Sequence, residues 1–190
     1  MVRRLSTVDA AYEAAKGLDE LGLNPSEFGY RMQAMLAETL AVMGGGIDAV
    51  ERVGHPDILV RMGGKTLRIQ SKATGQRRFT LSKEDLDGIR PRTGDEEGYL
   101  AILDRGPPVA WTCVRYAKAQ SILNRNVPLA MLKTMDDAYF SSQCTAAFLD
   151  LVNANRSSLE AFTFALLSKR AIASGHGDIG GDDHLRGSGN

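Results

Sequence analysis

The sequence predicts a mixed α/β fold, and three observations predict it. Apolar residues recur every three to four positions from Phe28 to Met43, a helical spacing. After Gly44-Gly45-Gly46 they give way to short runs of aliphatic and β-branched residues, and the helical spacing returns beyond Asp136. Gly63-Gly64 stands between two of the short runs, the pattern of a tight hairpin whose turn needs positive φ.

The elements follow in the order α-α-β-β-β-α-β-β-α-α-α. Residues 6–21 read as a helix, capped by Ser6 or Thr7 and ended by Gly22 and Pro25. Ser26 opens a second, longer helix that the triple glycine stops. Strands are expected at 47–53, 58–62 and 66–71. Ser82 starts a short helix ending near Gly88. Two more strands fall at 99–103 and 109–114, around Gly106-Pro107-Pro108. Residues 116–124, 136–153 and 157–174 complete the helices. Residues 175–190 hold six glycines in sixteen positions and read as a disordered tail.

The chain has 190 residues, 43% hydrophobic and 24% charged, which suits a domain with a core of its own. Lys+Arg 23 against Asp+Glu 23 excludes a globally basic binder but not a local basic patch. Cys113 and Cys144 do not make a disulfide framework, so a reducing, cytoplasmic setting is expected. No secretory apolar segment and no run long enough to span a membrane occurs, so no membrane partner is expected.

The Gly63-Gly64 turn sets the hairpin register, with paired positions summing to 127. Val60 then opposes Leu67, and Ile58 opposes Ile69. Ile58, Val60, Met62, Leu67 and Ile69 share the core face, while Asp57, Arg61, Arg68, Gln70 and Lys72 share the other. Asp57 falls opposite Gln70, with β-carbons about 4.5–5.5 Å apart. Magnesium takes oxygen ligands and keeps several waters, so a carboxylate and an amide at that spacing suit it. Such an ion polarises a phosphate and lowers the pKa of a bound water. Lys72, one pleat further on, supplies an ammonium to orient that water or stabilise charge on phosphate oxygens. These are the parts of phosphodiester hydrolysis. The same residues also suit an ordinary amphipathic strand.

Gly54-His55-Pro56-Asp57-Ile58-Leu59-Val60, followed by Leu67-Arg68-Ile69-Gln70-Ser71-Lys72, resembles the PD-(D/E)XK nuclease superfamily. Pro56-Asp57 matches the first half of its motif. Gln70-Ser71-Lys72 matches the second half in the Gln variant seen in Mrr-type restriction endonucleases. Twelve residues separate Asp57 from Gln70, and the resemblance spans about residues 26–116. It implies a restriction-endonuclease-like mixed sheet flanked by helices, with extra C-terminal helices. The expected divisions are an N-terminal helical extension (1–25), a nuclease-like core (26–125), C-terminal helices (126–174) and the tail (175–190). The resemblance also implies a metal-dependent DNA endonuclease using Mg2+ or Mn2+. Asp57 becomes the principal metal ligand, with the Gln70 carbonyl oxygen and the Ser71 backbone carbonyl beside it. Asp57, Gln70 and Lys72 form the catalytic set. Family members often add a Glu from the preceding helix; here Gln33 or Glu38 takes that position. The Gln33 and Gln70 amides depart from the all-carboxylate pattern and leave Asp57 as the one certain anion.

Residues 61–92 carry nine Lys and Arg against three Asp and Glu, a local basic surplus suited to a phosphate backbone. Arg61, Arg68, Arg77 and Arg78 are the candidate nucleic-acid contacts, Arg77 and Arg78 foremost. His55 is a secondary candidate for a general base. Gly64-Lys65-Thr66 looks like the end of a phosphate-binding loop, but Leu59 stands where that loop needs glycine, and a strand follows. His176, Asp178, Asp182, Asp183 and His184 could bind metal but lie in the tail. Cys113, Cys144 and Trp111 read as packing residues. The apolar C-terminal helices either complete the domain or build a homodimer. Two other functions remain: a non-cleaving nucleic-acid-binding or assembly subunit on the same fold, and an oligomerising adaptor acting through those helices.

Overall fold

The computed structural model describes residues 7–51 and 56–173. Its helices are α1 (Thr7–Glu20), α2 (Pro25–Val42), α3 (Lys83–Gly88), α4 (Tyr116–Ala119), α5 (Leu129–Thr134), α6 (Ala138–Ala154) and α7 (Leu159–Ala173). Its strands are β1 (Gly46–Val50), β2 (Ile58–Met62), β3 (Lys65–Thr74), β4 (Arg78–Thr80), β5 (Glu96–Asp104), β6 (Ala110–Arg115) and β7 (Asn126–Pro128). Every expected element within the described residues is present, in the expected order. The 175–190 tail and the Ser6 cap lie outside the described residues.

Five strands form a mixed sheet in the order β1-β2-β3-β5-β6. The first three make an antiparallel meander, β5 runs parallel to β3, and β6 returns antiparallel to β5. The hairpin pairs Ile58 with Ile69 and Val60 with Leu67, the register read from its turn. Gly63 and Gly64 both hold positive φ, 58° and 76°, which only glycine adopts cheaply at two successive positions. A parallel β3–β5 pair needs a long crossover, and residues 75–95, carrying β4 and α3, provide it.

Both faces of the sheet are covered. On one, Ile58, Val60, Leu67, Ile69, Tyr99, Leu103, Trp111 and Cys113 pack against α1, α2, α6 and α7. Trp111 meets Phe148 edge-on at 5.8 Å, the packing role expected of it. On the other, Leu100, Ile102 and Val114 pack against Leu86, Ile89, Ile122, Val127, Leu129 and Leu132. The polar side of the hairpin is itself partly buried, Arg68 and Gln70 among its residues. The C-terminal helices join α1 and α2 on the first face, where Phe148, Leu149, Val152, Leu159 and Leu166 are buried within the chain. Buried Arg31 of α2 fastens α7 there, donating to Thr163 Oγ1 at 3.1 Å and to the Glu160 carbonyl at 3.2 Å.

Several boundaries differ for local reasons. Pro25 does not end the first helix; it occupies the first turn of α2, where its missing N–H costs nothing. Asn24, not Ser26, caps that helix by accepting from the Glu27 N–H at 3.0 Å. The stretch expected to be helical over 116–124 is the short α4 followed by a 3-10 turn at Gln120–Ile122. The β4–β7 pair and α5 were not expected.

Gly98 of β5 lies against the end of α3, and a Cβ there would sit 1.8 Å from the Ile89 carbonyl oxygen. Gly98→Ala is therefore expected to destabilise the fold by about 3 kcal/mol, since a backbone atom must yield. Urea unfolding checks this; an unchanged midpoint would show that α3 shifts freely.

Candidate metal centre and basic cleft

The site forms where β2 begins and β3 runs on past it. Thr66 donates its N–H to Asp95, and Thr74 accepts from Arg105, both at 3.0 Å and both toward the β5 side. Main-chain groups alternate along a strand, so odd-numbered residues of β3, Ser71 among them, turn theirs toward β2. Continuing the hairpin register would set Ser71 against Pro56, which has no N–H to give the Ser71 carbonyl. Asp57 takes over this open edge. Its carboxylate accepts from the Ser71 N–H at 2.7 Å, the Ser71 hydroxyl at 3.0 Å and the Gln70 amide at 2.7 Å.

The main chain of Asp57 is held as firmly. Its carbonyl accepts from the Glu51 N–H at 2.8 Å and from Gln33 Nε2 at 3.1 Å. Gln33 Nε2 also donates to the Glu51 carbonyl at 2.6 Å. Gln33 thus ties α2 to the Asp57 loop. Glu38, the other helix candidate, ion-pairs with Lys169 of α7 at 3.3 Å. Of the two, the structure brings Gln33 to Asp57. Burial raises the Asp57 carboxyl above its ordinary value, against the opposing pull of Ser71, Lys72 and Gln70.

Lys72 points from the same strand face into α3 and pairs with Asp85 at 2.8 Å. Ser82 caps α3 through the Asp85 N–H at 3.1 Å, which sets the Asp85 side chain beside the strand. Burial pushes the Asp85 carboxyl up, but hydrogen bonding and charge from Lys72, with help from Ser82, outweigh it and leave it lowered. Sequence reasoning missed this residue. The capping pattern Ser82-x-x-Asp85 was visible, but its reach to Lys72 depends on how α3 lies across β3.

No protein-family model matches this chain, and no curated protein or solved structure matches it.

The donors therefore have to be judged by their own chemistry. Among the described residues no three His, Cys, Asp or Glu side chains group to hold a metal. A cation here would rest on the Asp57 carboxylate, the Gln70 amide oxygen and the Ser71 carbonyl, which lies on the same strand edge. All are hard oxygen donors, and they fit magnesium or manganese with one protein anion and several waters. Gln70 turns its N–H end to Asp57, so ligation requires its amide to swing about a soft terminal torsion.

The candidate arginines divide. Arg61 is exposed at the hairpin end and pairs with Asp48 at 2.8 Å. Arg68 is buried, bonded to the Gly88 carbonyl at 3.1 Å and paired with Glu96 at 3.6 Å; it braces α3 rather than meeting solvent. Arg77 and Arg78 line a cleft of about 510 Å³ with Thr74, Gln76, Phe79, Thr80 and Asn126. Thr74 lies two positions beyond Lys72 on β3, about 7 Å along the strand. The Cys113 thiol is pushed well above its ordinary value by its hydrogen bond with Cys144 and by burial, which suits packing rather than nucleophilic attack. His55 and the His176–His184 cluster lie outside the described residues.

Proposed function

We propose that the chain is a magnesium- or manganese-dependent DNA endonuclease on a PD-(D/E)XK-like fold. One observation carries this reading: a carboxylate, an amide, a main-chain carbonyl and an ammonium come from neighbouring positions where β3 runs past the start of β2, as Asp57, Gln70, Ser71 and Lys72. The sequence of elements supports it, with α2 before an antiparallel meander, then α3, then β5 parallel to β3. Asp57, Gln70 and Ser71 would hold the cation, which supplies a Lewis acid and a water of lowered pKa. Lys72, steadied by Asp85, stabilises charge on the phosphate oxygens as water attacks phosphorus and one ester P–O bond breaks. Restriction, repair or defence against mobile DNA would use such an activity.

A non-cleaving nucleic-acid-binding or assembly subunit is the second reading. The observation favouring it is that Gln33 and Gln70 both present N–H groups, not oxygens, to Asp57.

Supercoiled plasmid and linear DNA incubated with the protein and magnesium, manganese or chelator separates the two. Nicking that needs the metal is expected. Salt-sensitive DNA binding without cleavage under any metal would overturn the nuclease reading in favour of the second.

A further inference from the structure

The cleft beyond Lys72 has a composition of its own. Its seven lining residues include two arginines, two threonines, two side-chain amides and Phe79, and no carboxylate. Two chain segments far apart in sequence build it: the β3–β4 connection and the start of β7. Arg78 is fixed across it, donating to Asn126 Oδ1 at 3.2 Å and to the Asn126 carbonyl. The Arg77 carbonyl accepts from the Leu129 N–H at 3.0 Å, which pins the main chain. The Arg77 guanidinium itself has no partner among the described residues. Phe79 is half-buried; it packs against the second core and also lines the cleft.

One guanidinium held in place and a second left without a partner among the described residues, with no carboxylate beside them, select an anion. An aromatic ring beside them selects a flat, stackable group, and the amides and hydroxyls suit base edges and sugar. A paired duplex keeps its base faces stacked on one another, so only an unpaired or extruded base can reach Phe79. We propose that this cleft binds a single-stranded polynucleotide segment, with phosphates on Arg77 and Arg78 and one base against Phe79. That this segment adjoins a cleavage centre rests on the nuclease reading; binding in the cleft does not.

The test is fluorescence anisotropy with labelled single-stranded DNA, single-stranded RNA and duplex DNA of one sequence, in chelator, over a salt series. Single strands should bind more tightly than duplex, and the DNA and RNA arms decide which sugar is preferred. Arg77→Gln should reduce the slope of log affinity against log salt by about 0.7, one phosphate's share. Phe79→Leu keeps the apolar packing and should weaken binding roughly ten-fold. Lys16→Gln, on the exposed side of α1, matches the charge change of Arg77→Gln and should change neither slope nor affinity. Circular dichroism melting confirms that each variant is folded. Duplex preference, or folded Arg77 and Phe79 variants that bind like the wild type, would overturn the proposal. Intact single-strand binding by a protein that cleaves nothing would overturn the nuclease reading and leave the cleft assigned.

Discussion

Replacing Asp57 with alanine is expected to lower metal-dependent cleavage by at least about 10³-fold. Asp57 is the one carboxylate among the three oxygen donors, so its loss leaves a cation only neutral dipoles. A metal-dependent melting shift should vanish with it. At ten times its Kd a ligand adds about 1.4 kcal/mol, or about 3–6 °C for a chain of this size. Stability without metal should change little. The substitution orphans the Ser71 and Gln70 donors, but it also removes a carboxylate that burial makes costly to ionise. The pH dependence follows from the same cause. With its pKa raised above 3.8, ionised Asp57 detracts from stability as pH rises through that raised value. Cation binding needs the ionised form, so cleavage should fail on acidification at a higher pH than an ordinary carboxylate dictates. Because protons and metal compete for Asp57, more magnesium should move that acid limb to lower pH. Cleavage retained by Asp57→Ala, or an undiminished magnesium shift, would remove Asp57 from the metal site.

Much of this site was legible because its geometry is local. Two glycines between aliphatic runs allow one hairpin turn, the turn allows one register, and the register sets Asp57 against Gln70. The observed Ile58–Ile69 and Val60–Leu67 pairs follow from that. Alternation along a strand separates two faces but does not say what covers either. Arg68 and Gln70 therefore read only as the polar side of an amphipathic strand, although both are buried and Arg68 bonds to the end of α3. The β4–β7 pair was not legible at all. Each strand has three residues, too few to show a period, and their partnership spans the whole of β5 and β6. The cleft depends on that pair, so its arginines could be named from charge while the Asn126 wall and the Phe79 surface could not. Asp85 illustrates the same limit. Its place in a helix cap was evident, whereas its partner, Lys72 on β3, was set by how α3 packs across that strand.

Lys72→Ala is expected to reduce cleavage by about 10²–10³-fold while leaving the magnesium melting shift in place, because the ammonium is not a ligand. It should also destabilise the fold, by about 1–2 kcal/mol. The Asp85 side chain is 9% exposed and would lose its cation, but Lys72 is 37% exposed, so solvent already screens the pair and the cost stays below that of a fully buried one. These two effects have different origins and can be separated. Lys72→Ala combined with Asp85→Ala should regain most of the stability, since no buried carboxylate is left without its cation, yet stay as inactive as Lys72→Ala. Asp85→Asn alone keeps the ammonium but loosens its anchor. If Asp85 positions Lys72, single-turnover rates per folded molecule should fall about ten-fold with KM unchanged; a merely structural Asp85 would leave that rate intact. The pair's stability follows the lowered Asp85 pKa. Its coupling in the double-mutant cycle should be full near neutral pH and fade only below 3.8, as the carboxylate gains its proton. Cleavage restored in the double variant would mean that Lys72 serves to neutralise Asp85, and that the chemistry at Asp57 proceeds without an ammonium.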